Sequence, residues 1–247
     1  MILSFKRRAK ELSRKNIISI ILIQIVQAVF LGSFFVFSKT ADSAIEKNEA
    51  YLRLFVFSLV CFFLLTSFLL LKLGSDRYFF QNGKSENEGV FSVLYFFQTP
   101  KFKNGFLFSF FNLLFSVINF LLSFLPTGAF FLVIRSALKN GASKEIFLVF
   151  LVGLLCCFLV SFFFFSSLRR LGFLSKYYFF ENEDLSFSSC LEKSIKTMKR
   201  KGKRLFLLKK SFIPEKLFCV FLFPTPFVWG SIKQSLALLA LDEIKEK

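Results

Sequence analysis

The third long apolar segment of the chain carries a regular set of polar residues. They are spaced three and four residues apart, which places them on one stripe of a helix: Ser109, Asn112, Ser116, Asn119 and Ser123. Small hydroxyl and amide side chains allow helices to approach closely and to hydrogen-bond inside a membrane. The same stripe could instead line a polar groove for a substrate or a lipid headgroup, through Asn112 and Asn119. Gln24 and Gln27, in the first apolar segment, are the expected hydrogen-bond partners or additional lining residues.

A second group of residues that could do chemistry is a run of cations near the C-terminal end. Leu191, Ile195 and Met198 recur at helical spacing within it, and Ser189 followed by Glu192 predicts a capping box. We predict an amphipathic helix on the cytoplasmic face of the membrane, with its apolar side toward the bilayer. Its cations would contact anionic lipid or a protein partner: Lys193, Lys196, Lys199, Arg200, Lys201, Lys203 and Arg204. Alternatively, cations beside membrane spans act only as topological anchors.

Catalytic and metal-binding chemistry has few residues to use in this sequence. None of the 247 residues is His, which removes the commonest general base and the commonest metal ligand. We interpret the five Cys residues as inert thiols: Cys61, Cys156, Cys157, Cys190 and Cys219. We therefore expect no enzyme activity, no metal and no cofactor. We also expect no nucleic-acid binding, because the cations are spread over several segments.

The elements that must position these residues are long apolar helices. The chain is 55% hydrophobic with a mean hydropathy of +0.60, and a helix needs about 20 apolar residues to cross a bilayer. Five segments reach that length, the last of them interrupted by charges: 17–38, 51–73, 106–125, 146–167 and 205–230. The predicted fold class is an all-α, multi-pass transmembrane helical bundle with five spans.

The distribution of Lys and Arg predicts the orientation of this bundle. Of the 33 such residues, 23 lie in the segments 1–16, 72–104 and 169–210, and 5 lie in 39–50 and 135–144. Because positively charged loops are retained in the cytoplasm, we predict a cytoplasmic N-terminus. A cleaved signal peptide is the alternative for the first apolar segment, but that segment is longer than usual, so we interpret it as a span.

The sequence also contains a candidate internal repeat. Tyr-Phe-Phe-Gln-Asn at 78–82 recurs as Tyr-Phe-Phe-Glu-Asn at 178–182, and a Pro-Thr pair at 126–127 recurs at 224–225. Chance agreement between Phe-rich stretches is the alternative. We predict one membrane domain, 1–247, built from an N-terminal part and two parallel units: 1–50, 51–145 and 146–247. Each unit would contain a span, an amphipathic cytoplasmic segment, a second span, a break at Pro-Thr and a short helix.

Several of these motifs resemble one family. The acidic turn at 181–186, the helix that follows, the Gly-Lys-Arg-Leu-Phe segment at 202–206 and the Ser-Phe-Ile segment at 211–213 are similar to an uncharacterised bacterial integral membrane family, domain of unknown function 975. The resemblance implies a bacterial cytoplasmic membrane and a final helix that returns toward the cytoplasm as a sixth span. It implies no activity.

Two functional interpretations follow from the sequence. The first is a non-enzymatic integral membrane protein, an envelope-associated scaffold or accessory subunit whose basic cytoplasmic helices contact anionic lipid of the inner leaflet or a partner. The alternative is a small transporter or lipid-handling permease, with the polar stripe of the third span as its lining.

Overall fold

The computed structural model describes residues 2–45, 50–84, 89–139, 144–216 and 225–245. Within these ranges the chain is helical and contains no strand, which confirms the predicted all-α class. The helices are α1 (Ile2–Lys15), α2 (Ile17–Ile45), α3 (Ala50–Gly83), a 3-10 helix (Val90–Phe97), α4 (Thr99–Lys139), α5 (Lys144–Leu171), α6 (Ser175–Glu181), α7 (Phe187–Ser211) and α8 (Thr225–Lys245).

Three stretches among the described residues are long and apolar enough to cross a membrane: Phe57–Gly83, Thr99–Ala137 and Leu148–Glu181. A fourth is obtained if α1 and the start of α2, which meet at an angle of 81°, form one broken span. These helices indicate a membrane location, and within the described residues they provide three or four candidate spans, against the five that the sequence predicts. Residues 205–211 of the predicted fifth span are instead the end of α7, and 217–224 lie outside the described residues. α8, the predicted sixth span, is not among these stretches.

One half of the molecule exposes apolar side chains over most of its surface. Examples are Phe63 on α3, Leu121 and Leu132 on α4, and Val149 and Phe163 on α5, all more than half exposed. Helices can cross a bilayer in this way because they satisfy their backbone hydrogen bonds internally. We call this part of α2, α3, α4 and α5 the apolar half.

The other half, which we call the base, contains the packed core. It consists of α1, α3 from Leu70 onward, the 3-10 helix, the start of α4, α6, α7 and α8. Its centre is formed by the two copies of the repeated aromatic motif. The Phe80 ring lies 5.3 Å from that of Tyr177 and 5.9 Å from that of Phe180, and the Phe179 ring stacks 4.3 Å from Phe108. The two copies therefore pack against each other across 100 residues of sequence.

The two predicted units differ in the details of their helices. Pro126 lies inside α4, which continues to Lys139, so the predicted break at Pro126 is wrong. Proline is tolerated inside membrane helices. Next to it, Thr127 Oγ1 lies 2.8 Å from Ser161 Oγ and connects α4 to α5. Pro224, the matching residue, lies outside the described residues. Where the first unit was predicted to have an amphipathic segment, the structure has the 3-10 helix, packed so closely that a Cβ on Gly74 would collide with the Val93 carbonyl.

A break between α5 and α6 has no counterpart in α3, which is continuous. Ser194 of α7 is fully buried and hydrogen-bonds backbone groups at this break. Its hydroxyl donates to the Leu171 carbonyl at 2.6 Å and accepts from the Leu174 N–H at 3.0 Å. Backbone groups that a helix break frees must find such partners when they are buried. The contact also fixes α7 against the junction.

α7 is the predicted amphipathic helix, with two corrections. Its N-cap is Ser186 and not Ser189, because the Ser186 hydroxyl accepts a hydrogen bond from the Ser189 N–H at 3.3 Å. Its buried stripe faces the protein and not the bilayer: Cys190, Ser194, Met198, Gly202, Leu205 and Leu208. The stripe packs against the aromatic core of the base, so the predicted orientation of this face toward the membrane is wrong.

Candidate functional site

A cavity of about 200 Å³ lies where α3, α4, α5 and α6 meet. Its wall is polar on the α4 side and charged on the others. The lining residues are Leu69, Lys72, Leu73, Asp76, Ser109, Asn112, Leu113, Phe115, Ser116, Asn119, Phe165, Arg169 and Lys176. The predicted polar stripe therefore lines a cavity at the edge of the base.

Four of the five stripe residues reach this cavity. The Ser116 hydroxyl donates to the Asn112 carbonyl at 2.9 Å, within α4. Ser109 is 6% exposed, and no group in the described part of the chain hydrogen-bonds its hydroxyl. Because a buried polar atom without a partner is costly, this hydroxyl, like that of Ser123, still requires a hydrogen-bond partner. Ser123 is buried further along α4 and does not line the cavity.

The predicted glutamine partners do not join the stripe. Gln24 and Gln27 are half-buried on α2, which packs on α3, the 3-10 helix and α8. Neither is among the described residues that line the cavity. Sequence spacing placed them correctly on one side of a helix, but the position of that helix in the bundle could not be derived from spacing.

A buried carboxylate organises the charged side of the cavity. Asp76 Oδ2 lies 2.5 Å from Lys176 Nζ on α6, and Asp76 Oδ1 lies 2.5 Å from Lys233 Nζ on α8. Lys72 and Arg169 line the same cavity and are exposed. Among the described lining residues there are thus three cations and one carboxylate, and Lys233 adds a fourth cation next to that carboxylate. The cavity has surplus positive charge.

The cavity lies at the ends of the apolar segments of two helices. Lys72 is the first charged residue after the apolar stretch 54–71 of α3, about 27 Å of helix, and Arg169 is the first after 146–168 of α5, about 34 Å. These lengths bracket the thickness of a bilayer hydrocarbon core, about 30 Å. If the apolar segments span a bilayer, Lys72 and Arg169 lie at headgroup level.

The predicted basic set on α7 divides into three groups. Lys201 Nζ lies 3.0 Å from Glu243 Oε2, and Arg204 Nη1 lies 3.2 Å from Glu243 Oε1 and 3.4 Å from Asp242 Oδ2, so these two cations bind α8. Lys196 pairs with Glu192 on its own helix at 2.8 Å. The other four point away from the buried stripe, exposed or half-buried: Lys193, Lys199, Arg200 and Lys203. They are the part of the predicted set that can meet a lipid surface.

The acidic turn that ends α6 is predicted correctly but has an additional role. Glu183 Oε2 lies 2.7 Å from Lys101 Nζ and accepts from the Tyr95 hydroxyl at 3.1 Å. It therefore connects the turn to α4 and the 3-10 helix. Cys190 is buried at the start of α7, and burial raises the pKa of its thiol to about 11, which supports an inert role. Cys219 lies outside the described residues.

Sequence reasoning missed the residues that charge the cavity. In the sequence, Lys72, Arg169 and Lys176 look like ordinary charged anchors beside membrane spans, and Asp76 looks like one more charge in the same segment. One signal was present: Asp76 and Lys176 each lie two residues before a copy of the motif, 100 residues apart, and have opposite charges. Because the copies pack together, the equivalent positions form an ion pair.

Comparison with protein families, curated proteins and solved structures gave no match for this chain. The resemblance to domain of unknown function 975 therefore stays a prediction. The fold and the site define the class: a helical protein with candidate membrane spans and a cationic cavity beside them.

Proposed function

We propose that this chain is an integral membrane protein, without enzyme activity, that binds the anionic headgroup of a membrane lipid in the cavity between α3, α4 and α5. The observation that carries the proposal is the cavity itself. It combines surplus positive charge with neutral donors on α4, and both are suited to phosphate oxygens.

The level of the cavity favours a lipid over a dissolved anion. Lys72 and Arg169 come directly after apolar helix segments, which is where lipid headgroups lie, and each cation near an anionic leaflet contributes about 1 kcal/mol. Most Lys and Arg residues lie in the segments 1–16, 72–104 and 169–210. This distribution supports a base on the cytoplasmic side of a bacterial inner membrane. The exposed cations of α7 would then add a general attraction to the same leaflet, as in the scaffold or accessory interpretation.

The experiment measures the thermal unfolding midpoint of the purified full chain in neutral detergent, with added phosphatidylglycerol or phosphatidylcholine. Phosphatidylglycerol should raise the midpoint more, because a ligand at 100 times its Kd stabilises the native state by about 2.7 kcal/mol. The double variant Lys72→Gln/Arg169→Gln should lose most of that difference. The matched control Lys199→Gln/Arg200→Gln removes the same charge from the exposed face of α7 and should keep it.

Three results would contradict the proposal. The two lipids could stabilise the wild-type protein equally, or both double variants could lose the difference equally. Loss in the α7 control alone would place lipid contact on α7 and favour the scaffold interpretation, in which the cavity has no part.

A second function, a lipid-handling permease, is favoured by one observation: the polar stripe of α4 lines the cavity over about three turns, from Ser109 to Asn119. The variant Asn112→Leu/Asn119→Leu separates a lining role of the polar stripe in a permease from a role in helix packing alone. A permease predicts lost lipid movement in reconstituted vesicles by a protein that still assembles. Packing alone predicts lost stability, with any activity falling in proportion.

A further inference from the structure

A second concavity lies in the apolar half, directly beyond the cationic cavity. Its volume is about 850 Å³, and it runs between α4 and α5. On α4 its wall is formed by Phe124, Thr127, Gly128 and Phe131, which fall on one helix face, and on α5 by residues between Leu151 and Phe158. The Thr127 hydroxyl is already paired with Ser161, at 2.8 Å. We call this concavity the apolar groove; it offers almost purely hydrocarbon contacts.

Only one layer of aromatic rings separates the groove from the cavity. Phe165 lines the cavity and Phe124 lines the groove, and their ring centroids are 6.1 Å apart. Phe120 contacts Phe165 at 5.9 Å on one side, and Phe124 contacts Phe158 at 5.7 Å on the other. The two concavities therefore follow the same α4–α5 contact, one after the other along the membrane normal.

α4 and α5 are in close contact at the level of the groove, and the depth of the groove can be counted along each helix. Phe130 packs against Gly153 so closely that a Cβ there would come within 2.8 Å of the ring. From Asn119, which lines the cavity, to Phe131 is about 18 Å along α4. One leaflet of a hydrocarbon core is about 15 Å deep. Along α5, Arg169 at headgroup level is about 17 Å from Phe158 and about 27 Å from Leu151, so the groove begins in the near leaflet and extends past the bilayer midplane.

We infer that the apolar groove holds an acyl chain of the same lipid whose anionic headgroup occupies the cationic cavity, so that the ligand is a whole anionic phospholipid. This inference rests on the proposed function and specifies its ligand. Charge complementarity selects the occupant: an apolar groove that lies one layer of rings away from a cavity with surplus cations fits a molecule with an anionic head and a hydrocarbon tail. A free phosphate or a soluble phosphoester would fill the cavity and leave the groove without a role.

The test uses phospholipids with a photoreactive diazirine on one acyl chain, in nanodiscs that hold the full chain. Phosphatidylglycerol and phosphatidylcholine probes are compared, and the cross-linked residues are mapped by peptide mass spectrometry. With the phosphatidylglycerol probe, labelling of 124–131 and 151–158 should exceed labelling of the equally exposed Phe62 and Phe63 on α3 by about fivefold. With phosphatidylcholine it should be even over all exposed apolar surfaces.

Two variants sharpen the test. Gly128→Phe fills the groove, and the structure has open space where its Cβ would stand, so the protein should fold. It should remove the preferential labelling, whereas Val133→Phe, an exposed α4 position outside the groove, should not. Lys72→Gln/Arg169→Gln should also remove it, because the headgroup no longer fixes the lipid.

The outcomes distinguish the inference from the proposed function. Stabilisation by phosphatidylglycerol that depends on Lys72 and Arg169, combined with even labelling, overturns the acyl-chain inference and leaves the headgroup site. Equal stabilisation by glycerophosphate, which has no acyl chain, has the same meaning. A change in oligomeric mass on Gly128→Phe would show that a second copy of the chain, and not lipid, covers the groove. No preference for phosphatidylglycerol in either assay overturns both proposals.

Discussion

Two clusters in the base share one chemical plan and differ in their surroundings. In each, a buried carboxylate is bound by two cations from other helices: Asp76 by Lys176 and Lys233, and Glu243 by Lys201 and Arg204. The Glu243 side chain is 0% exposed, and Asp242 adds a second carboxylate against Arg204. The Asp76 cluster adjoins a cavity in which Lys72 and Arg169 also lie.

The difference lies in charge balance and in access. Among the described residues, two carboxylates face two cations at Glu243, so these charges balance, and the pairs tie α7 to α8. At Asp76 one carboxylate pairs with two cations, Lys176 and Lys233, and Lys72 and Arg169 line the open volume beside it. Similar ion pairs thus hold α7 against α8 in the Glu243 cluster and border a cationic cavity in the Asp76 cluster. α8 takes part in both, since it supplies Lys233 to one cluster and Glu243 to the other.

The largest expected effect comes from removing two cations from each cluster. Lys201→Gln/Arg204→Gln leaves the buried Glu243 carboxylate uncompensated and should lower the free energy of unfolding by about 3–5 kcal/mol. Lys72→Gln/Arg169→Gln removes exposed charges that repel each other and should change it by less than about 1 kcal/mol. Unfolding by SDS titration of both purified variants measures the contrast. Equal losses would show that the two clusters do not differ as described.

The second effect concerns the carboxylate of the cationic cluster. Asp76→Asn leaves Lys176, Lys233, Lys72 and Arg169 without an anion, and we expect a loss of about 2–3 kcal/mol in the free energy of unfolding. Added phosphate should restore part of it, because the anion replaces the missing charge. Sodium chloride at the same ionic strength is the control, since screening alone acts on every charged pair. Equal recovery in both salts would argue against a cavity that prefers phosphate.

A smaller effect is expected at Ser109. Its hydroxyl is buried without a hydrogen-bond partner among the described residues, so Ser109→Ala should change the free energy of unfolding by less than about 1 kcal/mol. If the hydroxyl donates to a bound phosphate, the variant should still weaken phosphatidylglycerol binding severalfold. Thermal shift with and without the lipid separates the two quantities. A loss of stability in the lipid-free protein, with unchanged lipid binding, would assign Ser109 to helix packing.

The smallest expected effect is a pH dependence at Lys209, near the end of α7. Desolvation, together with repulsion by Arg169, Lys176, Lys216 and Arg170, lowers the pKa of Lys209 from 10.5 to about 8. The unfolded chain therefore binds more protons between these two values, and stability should rise with pH in that window as the folded protein sheds its unfavourable charge. Lys209→Gln should reduce this rise in the unfolding midpoint. Identical pH profiles of variant and wild type would show that Lys209 does not carry the effect.

The features that could be predicted from the sequence are those that depend on helical spacing. Sequence reasoning predicted the all-α class, the helix at α7 and the stripe from Ser109 to Asn119, because periodicity is a local property of the chain. It missed the N-cap at Ser186, one turn before the predicted Ser189, because several Ser residues there can cap. It missed that the apolar side of α7 faces protein, since spacing shows that a face is apolar but not what covers it.

The charges of the cavity required tertiary information. Asp76 meets Lys176 and Lys233 only because α3, α6 and α8 pack together, over sequence separations of 100 and 157 residues. A single sequence shows cations beside apolar segments, but it cannot distinguish cations that only anchor a span from cations that bind a ligand. Both kinds lie at the same level of the membrane. The matching positions of Asp76 and Lys176, each two residues before a copy of the repeated motif, were the one local sign of that contact.

The central claim, that the surplus cations at Asp76 bind an anionic lipid and the balanced cluster at Glu243 does not, can be measured by native mass spectrometry. The purified protein is released from mixed micelles that contain equal amounts of phosphatidylglycerol and phosphatidylcholine, and the bound lipids are counted. We predict one retained phosphatidylglycerol on the wild-type protein, and its loss by about tenfold or more in Lys72→Gln/Arg169→Gln. Unchanged retention in that variant, or retention that depends instead on Lys199 and Arg200, would contradict the account.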